Sequence, residues 1–341
     1  MNRIRTLDGW RGIAISLVLF DHIQYALLGH YMQPWTQTGH HGVTIFFVLS
    51  GFLITSKLLE GPIDLKRFYI RRFFRLMPVA WTYLAVLLLI GHQVHMSIAA
   101  PTAVLASLLF YRNYLLVDAG ASTWHFWSLS LEEQFYLVWP CILLVAGIRR
   151  CRWIAAAGAL GCAVYRLHSW GYYDREFFNC QSQVRADELL TGCLMALLLQ
   201  EPRLQAAASR WSKMWALPAI SVLVYCMAHF TLLPPLTECV CIAALIASSM
   251  LHPESIFARP LTSRTLSQLG IVSYSIYVWQ GIFMLLAHGS GATGALLLFF
   301  AMPLCALGSY VYIERPFTRL GHRLTSRPER QTQVVEQLTT P

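Results

Sequence analysis

Residues 7–29 read LDGWRGIAISLVLFDHIQYALLG, a run long and apolar enough to span a bilayer as one helix. Two of its residues are expensive in that setting. Arg11 carries a permanent charge and His22 a titratable one, and ionisable groups kept inside a span are functional candidates by default. If the run is helical, eleven steps of about 100° return to within roughly 20° of the start, so both side chains lie on one face about 16 Å apart along the axis. One end of that stripe suits an anion and the other suits proton transfer. The plainer alternative, a snorkelling arginine and a hydrogen-bonded histidine, accounts for either residue alone but less well for the two on one stripe. Arg3 and Arg5 flank the run, yet it is too long for a signal-peptide core and no small-residue cleavage site follows, so it is expected to stay as an uncleaved anchor.

The rest of the chain repeats the pattern. Of 341 residues, 56% are hydrophobic and 13% charged, against about 25% charged in soluble domains. The expected fold is all-α, one polytopic membrane bundle. Further candidate spans are residues 41–60, 76–95, 129–147, 153–168, 186–200, 215–231, 234–251, 269–289 and 293–314, which with the first make about ten. The stretch 100–117 is ambiguous. As a crossing it would put Arg149, Arg150 and Arg152 outside, whereas a re-entrant or interfacial course leaves them inside, as the distribution of positive charge favours. With the N-terminus inside, the inner segments hold Arg3, Arg5, Lys57 to Arg75, 149–152, 203–213, 259–264 and the tail from Arg315, while the outer ones hold chiefly Arg112, Arg175 and Arg185. Both termini are then cytoplasmic. Residues 1–323 form the membrane domain, and the polar stretch 324–341 is expected to be a disordered cytoplasmic tail.

The net charge of +9 sits in short segments between apolar runs, which points to membrane orientation and not to nucleic acid. The nine cysteines are odd in number, fall mostly in apolar runs and show no paired metal-ligand spacing, so they read as small hydrophobes and no metal is expected.

Three further segments carry chemistry. RRFFRLMP (71–78), after Lys66 and Arg67, sets a guanidinium cluster (Arg71, Arg72, Arg75) at the inner surface, suited either to anionic lipid or to the phosphates of a cytosolic cofactor. WHFWSLSLEEQFYLVWP (124–140) places Glu132 and Glu133 just inside a span that is expected to begin near the outer face. One carboxylate there reads as orienting a histidine or an acceptor hydroxyl and the other as facing water at the interface, with one of the two structural as the plainer alternative. FFVLSGFLIT (46–55) holds the pair Ser50-Gly51, which reads as close helix packing or as room for a thin substrate chain. Asp8 stands one turn before Arg11 as a candidate partner, and Glu238 has no evident partner and reads as structural. His40 and His41 fall in an outer loop and His125 in the outer aromatic segment, and with His92, His95 and His288 near span ends they are weaker candidates without metal-ligand spacing.

LDGWRGIAI (7–15) with Arg11-x10-His22, GVTIFFVLSGFLIT (42–55), RRFFRLMP, WSLSLEEQFYLVWP (127–140), YSIYVWQ (274–280) and YIERPF (312–317) occur in order. Together they resemble the acyltransferase 3 family of bacterial membrane O-acyltransferases, over about residues 5–323. The resemblance implies some ten helices in the bacterial cytoplasmic membrane, an acyl-CoA donor, most simply acetyl-CoA, and transfer to a carbohydrate hydroxyl. It implies His22 as the catalytic histidine with Arg11 as its essential partner, Arg72 and Arg75 as the Arg-x-x-Arg pair, and Glu132 as the family's glutamate. A thioester is already activated, so attack by a hydroxyl mainly needs a base and donors for the oxyanion. His22 is the expected base, with a covalent acyl-histidine as a second route. Arg71, Arg72, Arg75, Ser50 and Gly51 are expected on the donor side. Trp124, His125, Glu133, Arg185 and Asp187 are expected on the acceptor side. Polysaccharide-assembly proteins are the further partners suggested. Gln280 and Thr44 depart from the family, where histidine and aspartate are common. No appended hydrolase-like domain is expected, so the chain would act alone or with a partner. A transporter or flippase is the main alternative, disfavoured by the lack of internal repeats, and a silent sensor is a third.

Overall fold

The computed structural model describes residues 4–28, 38–93, 99–115, 121–169, 180–228, 235–287 and 290–326. His95, Arg175, His288 and the polar tail beyond residue 326 lie outside them. The described residues form helices and no strand: α1 (Arg5–Leu28), α2 (Thr38–Leu58), α3 (Leu65–Gln93), α4 (Pro101–Leu108), α5 (Phe126–Ser169), α6 (Ser182–Leu199), α7 (Pro202–Ala228), α8 (Pro235–Leu251), α9 (Arg264–Ala287), α10 (Gly291–Ser309) and α11 (Arg315–Leu324). Five helical stretches, α2, α3, α5, α9 and Thr293–Leu324, are long and apolar enough to cross a membrane. Large apolar side chains point outward from several of them, Val145 at 84% exposure, Trp153 at 76% and Leu304 at 72%. An outward face of this kind needs lipid around it, and the chain is a multi-pass membrane protein.

The 44 residues of α5 would measure about 66 Å as one rod, about twice the hydrocarbon thickness of a bilayer. Gly147 breaks it, with φ of 72°, a left-handed conformation that glycine adopts at little cost. The stretches 126–146 and 148–169 are then each of spanning length, and Arg149, Arg150 and Arg152 sit on the first turns of the second stretch, where a loop was expected. Of the ambiguous stretch 100–117, the described residues 100–115 contain the eight-residue α4 and a single 3-10 turn, Arg112–Tyr114. Eight residues rise about 12 Å, too little for α4 to cross as a helix.

A second difference concerns where α5 begins. The Ser122 carbonyl accepts a hydrogen bond from the hydroxyl of Tyr83, on α3, and the His125 ring lies against Gly281, on α9. These contacts fall about 26 Å along both helices from their first residues, so α5 starts within the bundle and not at its outer rim.

Helices at the site approach closely through glycine. A side chain at Gly12 would meet the Leu266 carbonyl, and one at Gly270 the Asp8 carbonyl, so α1 and α9 touch backbone to backbone. Gly51 and Gly192 do the same for α2 and α6, against the carbonyls of Leu189 and Val48. Gly192→Val is therefore expected to cost about 1–3 kcal/mol, seen as a lower thermal midpoint of the protein in detergent.

Candidate active site

A cavity of about 660 Å³ opens between α1, α2, α3, α5, α9 and α11. Its mouth carries Lys57, Arg67, Arg71 and His322, and its depth carries Arg11, Ser50, Arg72, Arg75, Glu132, Tyr136 and Glu314. The basic segment expected in a loop is the first part of α3. Its arginines share one side because positions three and four apart on a helix are neighbours. At the mouth, the Lys57 ammonium 2.5 Å from Glu60 holds that carboxyl below its usual range. Arg71 donates from Nε to the hydroxyl of Thr325, at 2.7 Å.

Glu132 organises the interior. It accepts hydrogen bonds from the hydroxyls of Ser50 and Tyr136, and Arg72 Nη2 lies 3.4 Å from the same carboxylate. The Arg72 guanidinium stacks on the Tyr136 ring, 3.2 Å from its centroid, and its Nε donates to Glu133 at 3.3 Å. Both carboxylates thus face one arginine, which explains how an apolar helix keeps two adjacent glutamates. Arg11 reaches the same interior from α1, within electrostatic range of Asp8, Arg75 and Glu132.

Glu314 completes the wall. It ends the short π-helical stretch Tyr310–Glu314 between α10 and α11, a widened turn of the kind found at functional sites. Its Oε2 accepts from the Ser275 hydroxyl at 2.6 Å. Tyr274 ties α9 to α3 across the cavity, donating to the Leu76 carbonyl at 2.7 Å.

His22 lies farther along α1 and is not among the cavity-lining residues. Its Nδ1 is 2.8 Å from the Val18 carbonyl. A carbonyl only accepts, so Nδ1 carries the proton and Nε2 keeps its lone pair. The cavity wall also carries the hydroxyls of Ser128 and Tyr277, 2.5 Å apart, with Tyr277 also donating to the His125 carbonyl at 3.1 Å. His125 itself lies within electrostatic range of His22, in a surround of Tyr83, Phe126 and Tyr277 rings.

The remaining candidates fall elsewhere. Gly51 faces α6 and not the cavity. Trp124 lies under the Arg112 guanidinium, 5.0 Å from it. Arg185 and Asp187 belong to a separate buried network: Arg185 donates to Glu188 at 2.8 and 2.9 Å, to Thr44 at 3.0 Å, and stands 2.7 Å from His40 Nε2, while Asp187 pairs with Arg166 at 2.6 Å. Thr44, one of the two departures, thus meets an arginine already matched by Glu188. His41 and its neighbour His40 lie on α2 and not in a loop, and His41 Nδ1 is 2.7 Å from Glu238, the partner that sequence did not reveal. Among the described residues no group of three His, Cys, Asp or Glu is placed to hold a metal.

Sequence reading missed Tyr136, Ser128, Tyr277 and Glu314 as members of the site. Tyr136 carried a signal, standing one helical turn after Glu132. Glu314 lay inside a quoted motif, but only the π-helical turn aims it inward.

The chain is 27% identical to the peptidoglycan O-acetyltransferase OatA of Listeria monocytogenes over 81% of its own length and 49% of the relative's. It is 28% identical to the putative peptidoglycan O-acetyltransferase YrhL of Bacillus subtilis over 94% and 56% respectively. A putative O-acetyltransferase of Staphylococcus aureus is 27% identical over 98% and 61%. The chain therefore spans about half to three-fifths of the length of the curated relatives it matches. No solved structure gives a significant match. The acyltransferase 3 model, described as an acyltransferase domain, matches residues 4–314, a range that takes in the Arg11 and His22 stripe, the α3 arginines, Glu132 and Glu314, and the chain belongs to that acyltransferase family.

Proposed function

We propose that the protein is an O-acyltransferase that takes an acyl group, most simply acetyl, from acyl-CoA in the cytosol and passes it to a hydroxyl of a cell-surface or secreted carbohydrate. The observation that carries this reading is the single cavity that joins an arginine-rich mouth to the interior set of Arg11, Arg72 and Glu132. Guanidinium forks match the phosphates of a nucleotide donor, and a narrow interior with hydroxyls suits its thin arm. The relatives' names place peptidoglycan among the carbohydrates acetylated by the family. Ten crossings, with both termini and the arginine-rich mouth facing the cytoplasm of a bacterial inner membrane, fit the charge distribution.

In this mechanism the His22 Nε2 lone pair takes the proton of the acceptor hydroxyl as its oxygen attacks the thioester carbon. The C–S bond then breaks, the acyl oxygen ester forms, and the proton passes to the departing thiolate, so the histidine ends as it began. Arg11 steadies negative charge on the donor side, held in place by Asp8 and Glu132.

Titration of the purified protein with acetyl-CoA tests the donor assignment. Arg75→Ala is expected to weaken acetyl-CoA binding by about tenfold, the loss of one charge-assisted phosphate contact, with kcat changed less than KM. Unchanged affinity in Arg75→Ala and in Arg72→Ala would remove the cavity from donor binding.

A further inference from the structure

We propose that Gln280 and His125 form a hydroxyl-binding subsite beside His22, built for an acceptor with a second hydroxyl next to the one acylated. This rests on the acyltransferase reading above and adds the groups that hold the acceptor.

Gln280 is 1% exposed, and neither its Oε1 nor its Nε2 has a hydrogen-bond partner among the described residues. Folded chains seldom leave a whole primary amide buried and unpaired without a use for it. His125 is 7% exposed, and its Nδ1 is likewise without a partner. The His125 Nε2 lies 3.0 Å from the Val278 carbonyl, so Nε2 carries the proton and Nδ1 offers a lone pair.

These groups share a depth with His22. α1 and α9 run in the same direction, with Gly12 against Leu266 at one end, and Ile23 lining one small apolar space with Met284 at the other. The register between those contacts sets His22 level with about residues 278–282. Val278, which fixes the His125 tautomer, and Gln280 both fall in that interval, and Tyr277, immediately before it, lines the donor cavity together with Ser128.

The chemistry of the set defines the ligand. His22 Nε2 and His125 Nδ1 are both lone pairs, so each needs an O–H donor. Gln280 adds an N–H donor and a carbonyl acceptor. A simple alcohol supplies one donor and leaves the second imidazole unpaired. Neighbouring hydroxyls of a sugar ring satisfy both histidines, with the amide taking a third ring substituent. Glutamine where the family pattern commonly has histidine exchanges an aromatic group for a longer amide, and so alters which ring hydroxyl is presented to His22.

Full-length wild type, Gln280→Leu and Gln280→His, purified in detergent, are to be assayed with acetyl-CoA and a panel of saccharide glycosides and simple alcohols, alongside thermal midpoints. Leucine replaces an unpaired amide by an apolar group of similar size, so the midpoint of Gln280→Leu is expected to rise. Its KM for the saccharide is expected to rise about tenfold with KM for acetyl-CoA within about twofold, and Gln280→His is expected to recover part of the loss. A raised midpoint with unchanged saccharide KM overturns the proposal, because the amide then serves no ligand. A lowered midpoint with both KM values altered together also overturns it, since Gln280 then holds the fold. Wild type that transfers to no saccharide in the panel removes the acyltransferase reading itself, and the subsite with it.

Discussion

His22→Ala lowers acyl transfer by about 10²–10⁴-fold, the range for loss of a general base, and leaves acetyl-CoA affinity within about twofold. The separation follows from where the residue stands. His22 is two-thirds of the way along α1 and is not among the residues that line the arginine-rich cavity, so removing its ring touches none of the residues proposed to hold the donor. Its own hydrogen bond, from Nδ1 to the Val18 carbonyl one turn earlier, is local to the helix, and its loss does not unpick the bundle. The check is a kcat measurement beside an acetyl-CoA titration on the same preparation. Equal loss of affinity and turnover would move His22 into donor binding. Full turnover would exclude it as the base.

Glu132→Ala produces the second large effect, on stability as well as activity. The carboxylate takes hydrogen bonds from Ser50 and Tyr136 and faces Arg72, so alanine leaves two hydroxyls without their acceptor and halves the negative charge around a guanidinium. The side chains of the pair are only 16% and 19% exposed, and breaking a buried pair costs about 3–5 kcal/mol. Arg72 retains Glu133 at 3.3 Å, which sets the expectation at about 3 kcal/mol. A lower thermal midpoint together with a raised KM for acetyl-CoA is expected. Glu132→Gln keeps an oxygen for Ser50 and Tyr136 and should lose about half as much stability. An unchanged midpoint in Glu132→Ala would show that these partners are satisfied without it.

The parts of the site legible in sequence were those that violate the composition around them. Arg11, His22 and Glu132 stand out because charge is costly inside an apolar run, and the α3 arginines because they cluster. What converges on them is set by tertiary contacts that no local pattern encodes. Ser50 and Glu132 meet across 82 positions and His41 and Glu238 across 197, and nothing in a single span marks either partner. Apolar length alone misjudged the depth of Glu132, because it placed the start of α5 at a membrane face, whereas Ser122 and His125, at that end, pack against Tyr83 and Gly281 inside the bundle. The division of α5 into two crossings was legible in the basic segment Arg149, Arg150 and Arg152, whereas the form of the break was not, because the helix continues on both sides and turns only at the left-handed backbone of Gly147. Glu314 depended on a change in helical winding, which side-chain periodicity does not report.

The most direct test supplies acetyl-CoA labelled in its acetyl group to membranes that contain wild type or His22→Ala protein, followed by mass spectrometry of membrane-bound and released glycans. A labelled acetyl increment on carbohydrate that requires both the wild-type protein and His22 is the expected result. Wild type that inserts normally yet leaves every glycan unlabelled, or label that appears equally with His22→Ala, would contradict the account.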